Sequence, residues 1–246
     1  MGKAVQLETC LAGIPDFDWD NLASCLQQLD KMFDRVLQSR EQFNELLDSA
    51  LRCPKRSKLH ETDEVRTRFV LWDHPRGNFR LRLHFWKPTA PRIIHSHRFD
   101  FAARILDGGY RRTVYTCADD LFPKELVYAP QRTMDVDEVP GALRGKLGSI
   151  DNIYSHHLGK GQSYIQTCNP KILSDTVPDG ETVSLFVRGP ARHDRAFQWD
   201  PDLRTVIWKR GEKDLSAAES QTLKLPDGAA TPFVRRLEGL DVFAHI

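Results

Sequence analysis

The sequence predicts a mainly β protein, an antiparallel sandwich or barrel preceded by an α-helical extension, on three observations. Apolar residues repeat with a helical period up to about residue 52 and with a strand period after it. Beyond that change, short β-rich runs recur at intervals of about ten residues, bounded by Gly, Pro, Asn and Asp, with little helix between them. A His-x-His pair, His95 and His97, stands just before an Asp107-Gly108-Gly109 turn.

In the extension, residues 1–15 read as a lead-in. Asp16, Asp18 and Asp20 predict a helix start, because acidic side chains favour the positive end of the helix dipole. Leu22, Leu26, Leu29, Phe33, Val36, Leu37, Phe43, Leu46, Leu47 and Leu51 follow a 3.6-residue period, which predicts one long or two shorter amphipathic helices over about 19–52. Their apolar stripe is expected to pack on the rest of the chain. Pro54 ends the pattern, since its ring and missing N–H cannot continue a helix.

Val65 to Trp72 and Phe79 to Trp86 then read as strands around a His74-Pro75-Arg76-Gly77-Asn78 turn. The second alternates: Phe79, Leu81, Leu83 and Phe85 share one face, and Arg80, Arg82, His84 and Trp86 the other. That polar face meets either solvent or the interior of a barrel that binds a ligand. The next unit reads as strand, turn, strand: the histidines near the entrance, the turn at Asp107-Gly108-Gly109, and the returning strand over Tyr110 to Tyr115. Further strands are expected over Lys124 to Tyr128, Ile150 to Leu158, Ser163 to Gln166, Lys171 to Val177, Thr182 to Val187 and Thr205 to Lys209. Residues 129–150 read as loop and irregular strand, and Leu215 to Ser220 as a short helix. The chain thus divides into a helical extension over 1–56, a barrel over 57–210, and a C-terminal extension over 211–246 that packs on the barrel.

The 246 residues carry 35 Lys+Arg against 34 Asp+Glu, a formal net charge of +1, so no bulk charge draws the chain to nucleic acid or an anionic membrane. Its five cysteines are odd in number and widely spaced, which fits reduced thiols in a cytoplasmic protein better than a disulfide framework or a zinc ribbon. No apolar run is long enough for a membrane span.

His95 and His97, two apart on extended chain, direct both imidazoles to one side and are the first candidates for a metal or for general base catalysis. With the Leu106-Asp107-Gly108-Gly109 turn, Gly161-Gln162-Ser163-Tyr164 and Thr182-Val183-Ser184-Leu185-Phe186-Val187-Arg188-Gly189-Pro190, this order of parts resembles the cupin superfamily, closest to its cysteine-dioxygenase-like branch, over roughly 65–195. The resemblance implies a double-stranded β-helix, a jelly-roll barrel, holding a divalent transition metal, most often iron(II). Phe101 and Ala102 occupy the place where many cupins carry a glutamate, as fits a three-histidine site. The region Lys171-Ile172-Leu173-Ser174, where that branch places a third histidine, has none.

His156 is the substitute preferred for the third ligand, with His157, His84 or no third ligand at all as the alternatives. Under this reading Arg80 or Arg82 clamps a substrate carboxylate through paired N–H···O bonds, and Tyr164 or Tyr110 offers a phenol. The expected function is an iron(II)-dependent oxygenase of a small carboxylate-bearing or amino-acid-like molecule. Two rivals are a metal-poor isomerase, epimerase or lyase with a histidine base, and a non-catalytic ligand-binding barrel. The partners expected are a small-molecule substrate, no nucleic acid and no membrane, with edge strands and the amphipathic extension leaving room for a homodimer.

Overall fold

A computed structural model describes residues 9, 11–117, 150–194, 196–202, 205–209, 221, 224–225 and 229–239. The strand expected over Lys124 to Tyr128, the loop over 129–149 and the helix over Leu215 to Ser220 lie outside the described residues.

The helical period resolves into two helices, α1 (Leu22–Leu37) and α2 (Arg40–Arg52). Ser39, whose hydroxyl accepts from the Gln42 N–H, caps the second helix. The first begins later than the acidic run at Asp16 to Asp20 predicts. Asn21 is its N-cap, accepting from the Ser24 N–H at 3.2 Å, and no acidic residue lies in its first turn. Pro54 ends α2 as expected but also opens a four-residue helix, α3 (Pro54–Ser57), at a position that needs no N–H.

The strands are β1 (Glu61–Thr62), β2 (Arg66–Asp73), β3 (Arg80–Trp86), β4 (Phe99–Asp107), β5 (Gly109–Cys117), β6 (Ile150–Gly159), β7 (Ser163–Gln166), β8 (Ile172–Pro178), β9 (Thr182–Ala191), β10 (Ala196–Asp200) and β11 (Thr205–Lys209); a last helix, α4, spans Thr231–Glu238. One antiparallel sheet runs β1-β2-β3-β9-β4-β7. The second contains β6-β5-β8 and β10-β11, joined through His95, which bridges Ser174 on one side and Gln198 on the other. The result is a mainly β, two-sheet structure of the jelly-roll type, with α1, α2 and α3 before the strands and α4 after them.

Turn chemistry misleads at Asp107-Gly108-Gly109. The glycine does take a positive φ, +69° at Gly108, but β4 and β5 do not pair. β4 bonds to β9 and β7, whereas β5 bonds to β6 and β8. The turn is a corner between sheets, so Tyr110 to Tyr115 is not a returning hairpin strand. The histidines likewise precede β4 and belong to the other sheet.

The main hydrophobic core lies between the helices and the outer face of the six-stranded sheet. Leu29, Phe33, Val36, Phe43, Leu46 and Leu47 meet Phe69, Leu71, Leu81, Leu83, Phe85, Ala102, Val183, Leu185 and Val187 there. Arg104 ties β4 to α1 by ion pairs to Asp30 and Asp34 and lies over the Phe33 ring. Gly189 of β9 packs so closely on the Trp19 indole that a Cβ would come within 2.8 Å of it.

His60 adds a pH dependence. It is 3% exposed, and its Nδ1 accepts the Val70 N–H at 3.2 Å. Burial, assisted by the Arg56 charge, pulls it from 6.5 to about 4. An unfolded chain takes up this proton near 6.5 while the native one does not, so stability is full above that pH and declines as pH falls toward 4. Thermal unfolding followed against pH is expected to show this decline, and His60→Gln to flatten it.

Candidate functional site

With the apolar face of β3 covered by helices, its polar face turns into the space between the sheets. The two faces meet across an aromatic floor. Phe101 of β4 stacks on Phe186 of β9 at 4.9 Å, and Phe99 lies 6.5 Å from Phe186. Register places Arg66 opposite Trp86, Arg68 opposite His84, and Arg82 opposite both Val70 and Phe186, so these side chains share the inner face.

On one side of the floor is an arginine wall. Arg66 lies 4.6 Å over Trp86, Arg188 lies 5.3 Å over Phe99, and His84 stacks on Phe186 at 4.6 Å. Arg68 is paired with Glu61 and Asp63 at 2.8 and 3.0 Å. Arg80 is held by both oxygens of Asp73. Arg66, Arg82 and Arg188 have no carboxylate partner among the described residues; their Nε atoms are buried without an acceptor there, as are both nitrogens of His84, which is 1% exposed. Burial and the neighbouring guanidiniums lower Arg66 and Arg188 to about 10 and hold Arg82 well below the usual arginine range. Burial and then the charges of Arg66, Arg82 and Arg68 keep His84 neutral.

On the other side is a histidine wall. The His95 and His97 rings face each other with centroids 4.7 Å apart, and His97 sits 4.5 Å from Phe101. His97 Nε2 is 3.2 Å from Ser174 Oγ, which accepts from the Arg112 guanidinium at 2.9 Å. Ser174 Oγ keeps a second lone pair beside the Arg112 bond, so a His97 tautomer protonated at Nε2 can donate to it and leave Nδ1 without a proton. Arg112, 3% exposed, lies 5.4 Å over Phe101 and 4.8 Å over Tyr164. Tyr164 OH accepts from Tyr110 OH at 3.1 Å; burial, then Tyr164, holds Tyr110 well above the ordinary phenol range, so it stays a donor.

Backbone bonds fix the histidine segment. His95 exchanges both N–H···O bonds with Ser174, at 3.0 and 2.8 Å, and the Ser96 N–H reaches Phe197 O at 2.8 Å. Ser96 Oγ accepts the Phe197 N–H, and buried Asp100 takes the Cys168 N–H and the Arg192 side chain. The Cys168 thiol donates to His97 O at 2.9 Å and is raised to about 11 by burial and then Asp100, so it is a packed thiol and not a thiolate.

Of the residues expected from sequence, His95, His97 and Tyr164 gather around Phe101 and Arg82 lies on the opposite wall. Arg80, engaged by Asp73, is at the strand end. His156 is half-buried, stacked on Tyr154 at 5.5 Å, and shifted down by burial and then Arg112. It is three strands from His95, across β5 and β8, about 14 Å along the sheet. The structure does not bring it to the pair. His157 points to the opposite face and pairs with Asp179 at 2.5 Å. His84 belongs to the arginine wall.

Among the described residues no group of three His, Cys, Asp or Glu side chains comes together to hold a metal ion. The histidine pair is one ligand short of the three that a catalytic centre draws from protein, so a three-histidine iron site does not fit these residues. Sequence reasoning missed Arg66, Arg68, Arg112, Ser174, Phe186 and Arg188. The alternation Arg66-Thr67-Arg68 held the same signal as Arg80-Leu81-Arg82.

No family model matches the chain, and no curated protein does. Among solved structures it is similar to an RmlC-like cupin from Shewanella frigidimarina, at 14% identity over 55% of this chain and 85% of that one, with a TM-score of 0.33. KdgF from Halomonas sp. gives 10% identity over 54% and 86%, with a TM-score of 0.34. Hydroquinone 1,2-dioxygenase from Sphingomonas sp. TTNP3 gives 10% over 50% and 64%, with a TM-score of 0.33. The jelly-roll description rests on this chain's own strand order. No described helix is long and apolar enough to cross a membrane.

Proposed function

We propose that the barrel is the active site of an enzyme acting on a small carboxylate-bearing molecule by proton transfer, as an isomerase, epimerase or lyase. The carrying observation is the buried Nε of Arg82 and of Arg188, each without an acceptor among the described residues. A carboxylate supplies the missing acceptors, and the planar guanidinium takes it through two parallel bonds. The substrate then lies over Phe101 and Phe186 with its reacting carbon toward His97.

His97 takes the proton beside the carboxylate. The guanidinium charges stabilise the electron-rich oxygens that develop, and Tyr164, oriented by Tyr110, returns a proton from the far side of Arg112. The two-imidazole donor set favours this reading over iron-dependent oxygenation.

The test is incubation in D2O with short hydroxy, keto and amino acids, followed by proton NMR. One class is expected to lose the C–H signal next to its carboxylate, at a rate that a chelator leaves unchanged. Turnover appearing only with added iron(II) and consuming dioxygen would overturn proton transfer in favour of oxygenation. Binding without exchange or turnover would make the barrel a ligand carrier.

A further inference from the structure

We infer that the arginine wall is a polyanion site: the ligand carries a dianionic head, a phosphate or a pair of carboxylates, held by Arg82 and Arg188 beside His84. The inference rests on the barrel being a small-anion site and adds the charge of the ligand, which the proposed chemistry leaves open.

The wall holds more positive charge than one carboxylate neutralises. Five guanidiniums lie on or at the edge of the inner face of β2, β3 and β9: Arg66, Arg68, Arg80, Arg82 and Arg188. The carboxylates bonded to them are Glu61 and Asp63, both on Arg68, and Asp73, on Arg80. Arg66 is left with the Trp86 ring and Arg188 with the Phe99 ring, and the Nε atoms of these two and of Arg82 have no acceptor among the described residues. Like charges packed this closely in a low-dielectric interior repel one another, and a folded chain tolerates them where a counter-charge is to be bound.

His84 supplies an independent observation. It is 1% exposed with both ring nitrogens unpartnered among the described residues, and the charges it faces are those of Arg66, Arg82 and Arg68. A neutral imidazole with one N–H offers a donor to an oxyanion already held by arginines. A monocarboxylate has two oxygens, too few to take two forked guanidiniums and an imidazole together. A phosphate has three terminal oxygens, and a malonate-like pair has four.

The test is calorimetric titration and thermal unfolding with inorganic phosphate, malonate and acetate at matched ionic strength. Phosphate or malonate is expected to bind at least about tenfold tighter than acetate and to raise the unfolding temperature; the tighter of the two identifies the head. Arg82→Gln and Arg188→Gln are each expected to weaken that binding by about tenfold or more. Without ligand the same variants are expected to unfold at a higher temperature than the parent, because a repelling charge is gone. A structural arginine would do the opposite. Arg104→Gln, on the outer face, is the control and leaves anion binding unchanged.

Acetate binding as tightly as the dianions would overturn the inference while leaving the carboxylate chemistry standing. Ligand-free destabilisation by Arg82→Gln together with no anion binding would overturn it by making the wall structural. Dianion binding without any deuterium exchange would support it and count against the proton-transfer chemistry alone.

Discussion

Gly108→Ala is expected to destabilise the protein by about 3 kcal/mol, the sum of two separable costs. An L side chain at a φ of +69° loses about 1–2 kcal/mol to its own backbone. The new Cβ would also lie 2.7 Å from both Glu181 O and Thr182 Oγ1, and overpacking of that kind costs about 1–3 kcal/mol. In a domain of this size the unfolding temperature is expected to fall by roughly 6–12 °C. Gly77→Ala separates the two costs. Its φ is +73°, yet nothing stands within 4 Å of the added carbon, so it is expected to lose only the first, about 1–2 kcal/mol. Equal losses at the two positions, measured by denaturant unfolding, would show that the corner yields where the geometry says it is tight.

His97→Ala is expected to slow the proposed exchange by about 10²- to 10⁴-fold, the usual span for removing a general base. The side chain is half-buried and bonded to Ser174 at its rim, so folding is expected to survive. Ser174→Ala, which removes the hydroxyl between Arg112 and His97, is expected to cost about tenfold, in rate more than in substrate affinity. A His97→Ala variant that exchanges at the parental rate would move the base to another residue. His95, whose Nδ1 contacts Ile93 O at 2.9 Å, would be the first to replace next.

The residue pattern foretold the β-rich class, the amphipathic helical stretch at the N-terminal end and most strand positions within one or two residues, because each depends on local periodicity. Pairing is different. Asp107-Gly108-Gly109 demands a positive φ whether the chain folds back or crosses to the other sheet, and only the long-range bonds of β4 to β9 and β5 to β8 decide. The same limit separated His156 from His95, since same-face alternation is local and the count of intervening strands is not. Alternation along β3 placed Arg82 and His84 together correctly. What decided between solvent and interior was the cover supplied to Leu81, Leu83 and Phe85 by helices some forty residues upstream. Arg188 and Arg112 offered less, because a single cation on a strand reads as a solvated edge until its partners across the ladder are known.

The separation of the apolar core from the space between the sheets has a consequence for how the chain tolerates substitution. In a simple sandwich the residues that bind and the residues that hold the sheets together compete for the same inner face. Here β3 and β9 send Leu83 and Leu185 to the helices and Arg82 and Arg188 into the space between the sheets, so each strand keeps two environments on opposite sides. Substitution along the inward positions can change the charge and shape of that space while the fold's main hydrophobic support stays untouched. Such a barrel is free to change its chemistry faster than its architecture.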